Sequence, residues 1–171
     1  MTATTETTWT PGPDDPPLVT PTLEFAFEAR VACEPPKRIG HGAGDELVFV
    51  PIVGGTVAGP LLDGRVLPGG GDWSITRGPR VCELDARYLI ESDDGTVIDI
   101  VNRGFYAADP SVIERSQRGE DVPTSEYYFR TQPVFRTDAP AHAWLSETVF
   151  VGWAYDDLRN GQVCIRFFAV R

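Results

Sequence analysis

The sequence has little of what most metal and nucleotide enzymes rely on. It has only two histidines, His41 and His142, and three cysteines, Cys33, Cys82 and Cys164, with no CxxC pair among them. A Cys/His zinc site is therefore not expected. The cysteines are odd in number, far apart and set in apolar strand patterns, where they read as small buried hydrophobes. No apolar run approaches the roughly 20 residues that span a bilayer. The start lacks the basic and apolar stretches of a signal peptide, so a soluble cytoplasmic protein is expected. Basic residues are outnumbered, giving a net charge of −10. Nucleic acid and anionic membrane surfaces, which need clustered Lys and Arg, are not expected partners; the acidity serves solubility. No GxSxG elbow, GxGxxG fingerprint or Lys-Ser/Thr-ended phosphate loop occurs. No loop has EF-hand spacing. Nicotinamide, flavin and nucleotide cofactors have no visible home, and the expected cofactor set is none.

What is present is alternation. In TLEFAFEARVAC (22–33), Leu23, Phe25, Phe27, Ala29, Val31 and Cys33 fall on one face and charged residues on the other. That period of two marks a strand, ended by Pro35 and Pro36. LVFVPIV (47–53), DWSIT (72–76), VCELDARYLIES (81–92), VIDIVNRGFY (97–106), EYYFRTQPVFRT (126–137), TVFVGWAY (148–155) and QVCIRFFAV (162–170) read as further strands. Asp93-Asp94-Gly95 and Asn160-Gly161 are hairpin turns, the first expected as type I′. Glycines between 54 and 71 suggest the bulges and corners that barrels require. Asp109 as N-cap, Pro110 at the first turn and Gly119 as the stop place one helix over 110–118, docked through Val112 and Ile113. HAWLS (142–146) is expected to be a short turn carrying Trp144 inward. The whole is an all-β, mainly antiparallel fold, a single closed β-barrel of about 8–10 strands with one short helix. Residues 1–20, rich in Thr, Pro and Asp, read as a flexible tail. Residues 21–171 read as a single domain.

The runs GGTVAGPLLDGRVLPGGGDW (54–73), LDARY (84–88), DDG (93–95), NRG (102–104), SEYYFRTQPVF (125–135) and WL (144–145) resemble domain-of-unknown-function family 3237. The resemblance spans about residue 22 to the end. It implies a compact β-barrel of this length and says little about activity. The chain departs from the family's pattern at Gly71, where Ala is usual, and at Ser146, where Asn is frequent; the second bears on a polar contact near Trp144.

Candidate site residues follow from the barrel reading. Asp72, between a glycine triplet and Trp73, reads either as a carboxylate at a barrel mouth, able to act as general base if burial raises its pKa, or as an Asp bonded to its own turn. Asp85 and Arg87 share a strand face. Alternation makes Leu84, Ala86, Tyr88 and Ile90 the more apolar face, but a ligand-holding barrel can keep its polar face inside, and that inward reading is taken here. Tyr128 and Arg130 share a polar face with Glu126 and Gln132 that could recognise a carboxylate or enolate; the alternative is an exposed face whose charges guard an edge. Asn102 is a further polar candidate, and His41 reads as an exposed loop residue. The resulting expectation is a cofactor-independent enzyme of lyase, isomerase or cyclase type. Asp72, Arg87, Tyr128 and Arg130 would be catalytic, and Trp73, Asp85, Asn102 and Trp144 would bind the substrate. The alternatives are a binding protein for a hydrophobic or aromatic small molecule, and a homo-oligomeric scaffold whose barrel is filled by side chains.

Overall fold

A computed structural model describes residue 10 and residues 12–42, 45–157 and 160–171. Ten strands form one antiparallel sheet: β1 (Leu23–Cys33), β2 (Lys37–His41), β3 (Glu46–Ala58), β4 (Gly64–Val66), β5 (Gly70–Arg77), β6 (Val81–Ser92), β7 (Val97–Ala108), β8 (Tyr127–Arg136), β9 (Phe150–Asp157) and β10 (Gln162–Val170). Successive strands pair from β6 through β10, β10 pairs β1, and β1 pairs β3. β4 and β5 together bridge β3 to β6. The sheet thus closes on itself as an eight-stranded barrel, with β2 an outlying hairpin arm on β3. Closure leaves few open edges for aggregation.

Helix α1 (Pro110–Gln117) follows β7, and a single turn α2 (Ala143–Ser146) precedes β9. Pro110 and the positive φ of Gly119 set the limits of α1, with the Gly119 N–H bonded to the Ser116 carbonyl at 2.8 Å. Asp109 sits at the cap position with extended backbone, but its carboxylate caps nothing. It pairs instead with Arg80 at 3.1 Å. The Asp-Gly turn also differs from type I′. That turn needs positive φ at both central residues, and no non-glycine residue described has one. Only Gly95 turns positive, and the Ser92 N–H closes the wider loop on the Thr96 carbonyl.

β1 shows how alternation is corrected by packing. A bulge lies between Phe25 and Phe27, so Ala26 and Phe27 are both fully buried while Leu23 and Phe25 face outward. The bulge re-aims Phe27 into an aromatic plug with Phe135, Phe150 and Phe167, whose ring centroids lie 5.0–5.7 Å apart in edge-on and tilted contacts. Ile90, Ile98, Ile100 and Leu145 pack around it. The plug fills one end of the barrel, and each ring buried there stabilises the fold by about 1.5–3 kcal/mol. The other end is hollow.

Candidate functional site

The hollow end is a cavity of about 420 Å³. Val31, Val50, Ile52, Leu84 and Ile165 make its wall, and Ile113, Ser116 and Gln117 of α1 lie across its mouth. The polar groups that enter it are Asp72, Ser74, Tyr88, Asn102, Tyr106, Thr131 and Asp156, with the thiols of Cys33 and Cys82. An open lumen of this kind is at odds with a barrel packed solid by its own side chains.

Asp72 reaches the cavity through a local interruption of the sheet. The β5–β6 register runs Gly71–Arg87 and Asp72–Ala86, then resumes at Ile75–Glu83. In the gap, the Asp85 backbone N–H donates to Asp72 Oδ1 at 2.8 Å. No cation among the described residues pairs with Asp72. Burial is the main reason its pKa rises to about 6, a rise the Asp85 N–H opposes and the nearby Asp85 charge adds to. Asp156, on β9, is pushed up by burial alone. The register also fixes spacing. Asp72 lies opposite Ala86, and Ala86 lies opposite Asn102. Two strand spacings of about 4.8 Å put Asp72 and Asn102 roughly 10 Å apart across the wall.

Tyr88, Asn102 and Thr131 form a diagonal row on β6, β7 and β8, since Tyr88 pairs with Ile100 and Thr131 with Gly104, each two residues from Asn102. All three are at least 95% buried, and Tyr88 Oη, Asn102 Oδ1 and Thr131 Oγ1 have no hydrogen-bond partner among the described residues. Burial raises the Tyr88 phenol; the facing Asn102 amide offsets a small part of that without reaching bonding geometry. The Cys33 thiol is pushed up to about 11, also by burial, so it is no thiolate nucleophile at neutral pH.

Of the eight residues singled out in the sequence, the structure brings only Asp72 and Asn102 to this cavity. The expected convergence of Arg87 and Arg130 on Asp72 is not formed. Asp85 and Arg87 face outward, because the apolar alternation of β6 governs after all: Tyr88 and Ile90 are buried, while Arg87 and Leu89 are exposed. Arg87 forks onto Asp99 at 3.0 and 3.2 Å, and Asp85 accepts from Arg103 at 2.9 Å. Tyr128 is 51% exposed, and Arg130 stacks outside the barrel between Tyr128 and Trp153. Trp73 is exposed and lies against Phe49. Trp144 packs on Phe150 outside the cavity wall. His41 belongs to β2, where Nε2 lies 2.6 Å from Arg38.

The structure adds Tyr88, Tyr106, Thr131 and Asp156, which sequence reasoning passed over. The signal was there for three of them. Tyr88 continues the row Cys82-Leu84-Ala86, Thr131 lies between Phe129 and Pro133, and Asp156 ends the inward row Phe150-Gly152-Ala154. A Ser92–Asp94–His142 trio was also unforeseen. His142 Nε2 faces both Asp94 at 2.9 Å and Ser92 at 3.4 Å, while Nδ1 is buried without a partner. A relay needs the two ring nitrogens shared between acid and hydroxyl, so this trio braces the hairpin loop and is not a nucleophile. Asp94 is held well below the usual carboxylate range, chiefly by the Ser92 hydroxyl. Among the described residues no three His, Cys, Asp or Glu groups converge as metal ligands, and no helix is long and apolar enough to cross a membrane.

Fold and cavity together define a closed antiparallel β-barrel with a largely apolar chamber at one end that carries two acids and a few neutral polar groups. The chain belongs to the family described as protein of unknown function DUF3237, whose profile matches residues 21–170. A UPF0311 protein of Clostridium acetobutylicum is 39% identical over 132 residues, covering 75% of this chain and 82% of that one. The crystal structure of a beta-barrel like protein from Acinetobacter baumannii superposes with a TM-score of 0.78 at 30% identity, covering 92% of this chain and 99% of the other. An enzyme from Penicillium herquei shares the fold at a TM-score of 0.68 and 20% identity, covering 92% and 99%.

Proposed function

We propose that the barrel is a cofactor-independent enzyme that moves a proton on a small organic molecule held in the cavity, in the manner of an isomerase, cyclase or lyase. One observation carries this reading: Asp72 is a half-buried carboxylate in a largely apolar chamber, held by the Asp85 backbone N–H and with no cation partner among the described residues. A pKa of about 6 suits a group that must both take and return a proton near neutrality. In this mechanism Asp72 abstracts a proton from a carbon or hydroxyl of the substrate and later delivers it to a second atom. Charge developing on a substrate oxygen is met by neutral donors, the Tyr88 and Thr131 hydroxyls and the Asn102 amide, in place of the arginines expected from sequence. The Penicillium neighbour, itself called an enzyme, is compatible with this and lends it only the fold.

The second reading is a binding protein that holds an apolar ligand unchanged; the largely apolar wall favours it. The experiment that separates them incubates wild type and Asp72→Asn with a metabolite extract and follows both protein-bound and free compounds by mass spectrometry. The enzyme reading expects wild type to consume a compound that Asp72→Asn retains bound and unconverted. Conversion at an equal rate by Asp72→Asn rejects it, and retention of one unchanged compound by both proteins supports the binding protein.

A further inference from the structure

We infer that the cavity selects an uncharged, largely apolar molecule carrying a hydroxyl or carbonyl oxygen, and turns away carboxylates and phosphates; this deepens the reading of the cavity as the substrate site and rests on it. Arg87 pairs with Asp99, Arg103 with Asp85, and Arg166 with Glu28, all on the outer surface. Arg130 is stacked outside on Tyr128 and Trp153. Among the described residues no Lys, Arg or His lines the chamber, while Asp72 and Asp156 do. An anion entering would lose its hydration, find no countercharge and face two acids. Protonating those acids would remove the repulsion and still supply no cation.

The second observation concerns what the chamber offers instead. Tyr88 Oη, Asn102 Oδ1 and Thr131 Oγ1 are buried, adjacent along one diagonal and unpartnered. A fold that leaves three such atoms without a protein partner sacrifices stability at each one. They are a neutral set of donors and acceptors, the complement of an oxygen that can accept or donate without carrying charge. The rest of the wall, from Val31 to Ile165, matches a hydrocarbon or aromatic body. Two carboxylates could also attract an ammonium group, but the Tyr88 and Thr131 hydroxyls on the β6–β8 side of the wall have protons to donate, which an ammonium cannot accept and a hydroxyl or carbonyl oxygen can.

The test uses three probes on one aromatic skeleton: naphthol, naphthoate and naphthylmethylammonium. Each is titrated calorimetrically at neutral pH into the full chain and into Tyr88→Phe and Asn102→Ala, with thermal melts to verify that both variants fold. The expected result is that naphthol binds at least about tenfold more tightly than either charged probe. Each variant should weaken naphthol by about fivefold or more. Naphthoate binding as tightly as naphthol overturns the inference, as does preference for the ammonium probe, absence of naphthol binding, or naphthol affinity unmoved by both variants. The probes report occupancy without chemistry. A failure here therefore differs from a failure of the enzyme reading, which is decided by whether Asp72→Asn stops conversion.

Discussion

Asp85 holds Asp72 with its backbone and leaves it with its side chain. The Asp85 N–H donates to Asp72 Oδ1 at 2.8 Å, while the Asp85 carboxylate turns to the other face of the sheet and accepts from Arg103 at 2.9 Å. Two acids thirteen residues apart in sequence thus acquire opposite characters: one exposed and paired with a cation, one enclosed with a single neutral donor. The division of labour follows from the pleat, which sends a residue's side chain to one face while its amide lies in the sheet plane.

Asp72 should cost the fold stability once it ionises. Its folded pKa, about 6, lies above the ordinary aspartate value of 3.8. The native state therefore binds the extra proton between those values, and stability falls as pH rises from about 4 to about 6, then stays low. Asp72→Asn keeps an acceptor for the Asp85 N–H and removes the charge. It should be more stable than wild type by on the order of 2–3 kcal/mol at pH 8, with the advantage shrinking toward pH 4. Urea denaturation across that range measures it, and an advantage that does not depend on pH would contradict the assignment.

Tyr88→Phe removes a buried hydroxyl that has no partner. The expected gain is about 1 kcal/mol of stability, read as a higher melting temperature, alongside weaker binding of oxygen-bearing ligands. A loss of stability would mean that the hydroxyl is satisfied in the protein.

Arg87 and Arg130 should be dispensable for conversion of any substrate the barrel accepts. Arg87→Ala removes an exposed ion pair with Asp99, and Arg130→Ala removes two cation–π contacts and a hydrogen bond to the Phe129 carbonyl. Each should change stability by no more than about 1 kcal/mol and leave turnover within about twofold of wild type. A hundredfold loss of turnover in either variant would bring that arginine back into the site.

Gly71 lies where a Cβ would sit 2.0 Å from the Phe49 ring, which itself lies against Trp73. Alanine, the residue usual here in the family resemblance, therefore requires the ring to move. Gly71→Ala alone should destabilise by about 1–2 kcal/mol, and in a Phe49→Leu background by clearly less. A double-mutant cycle that shows no coupling between the two positions would refute this account of the glycine.

Much of the fold was legible because half-buried strands announce themselves by alternation, and the long strands β1, β6, β7, β8 and β10 do so in stretches of six residues or more. β2 was not, since KRIGH is short and almost wholly exposed. The bulge in β1 was also hidden; Leu23 and Phe25 carry the right residue types for a core face they do not reach. The site was harder to read. Asp72 and Asn102 stood out as polar residues in apolar settings and do line the cavity. Arg87 and Arg130 were drawn toward it by supposing that a ligand barrel turns its polar face inward, whereas this one lines its chamber mainly with the apolar face and places a few neutral polar groups within it. Tyr88 was in plain view as part of the apolar row. Nothing in a sequence says whether a tyrosine hydroxyl on such a row will find a partner, because that depends on strands brought together only by closure of the barrel.

The most direct test is the titration of the Asp72 side chain itself. Carbon NMR of the aspartate carboxyl carbons, with Asp72→Asn to identify the resonance, follows its protonation from pH 3 to pH 8. The account requires a midpoint near 6. A midpoint near the ordinary aspartate value of about 3.9 would mean that Asp72 is solvated and idle, and the proposed chemistry would lose its base.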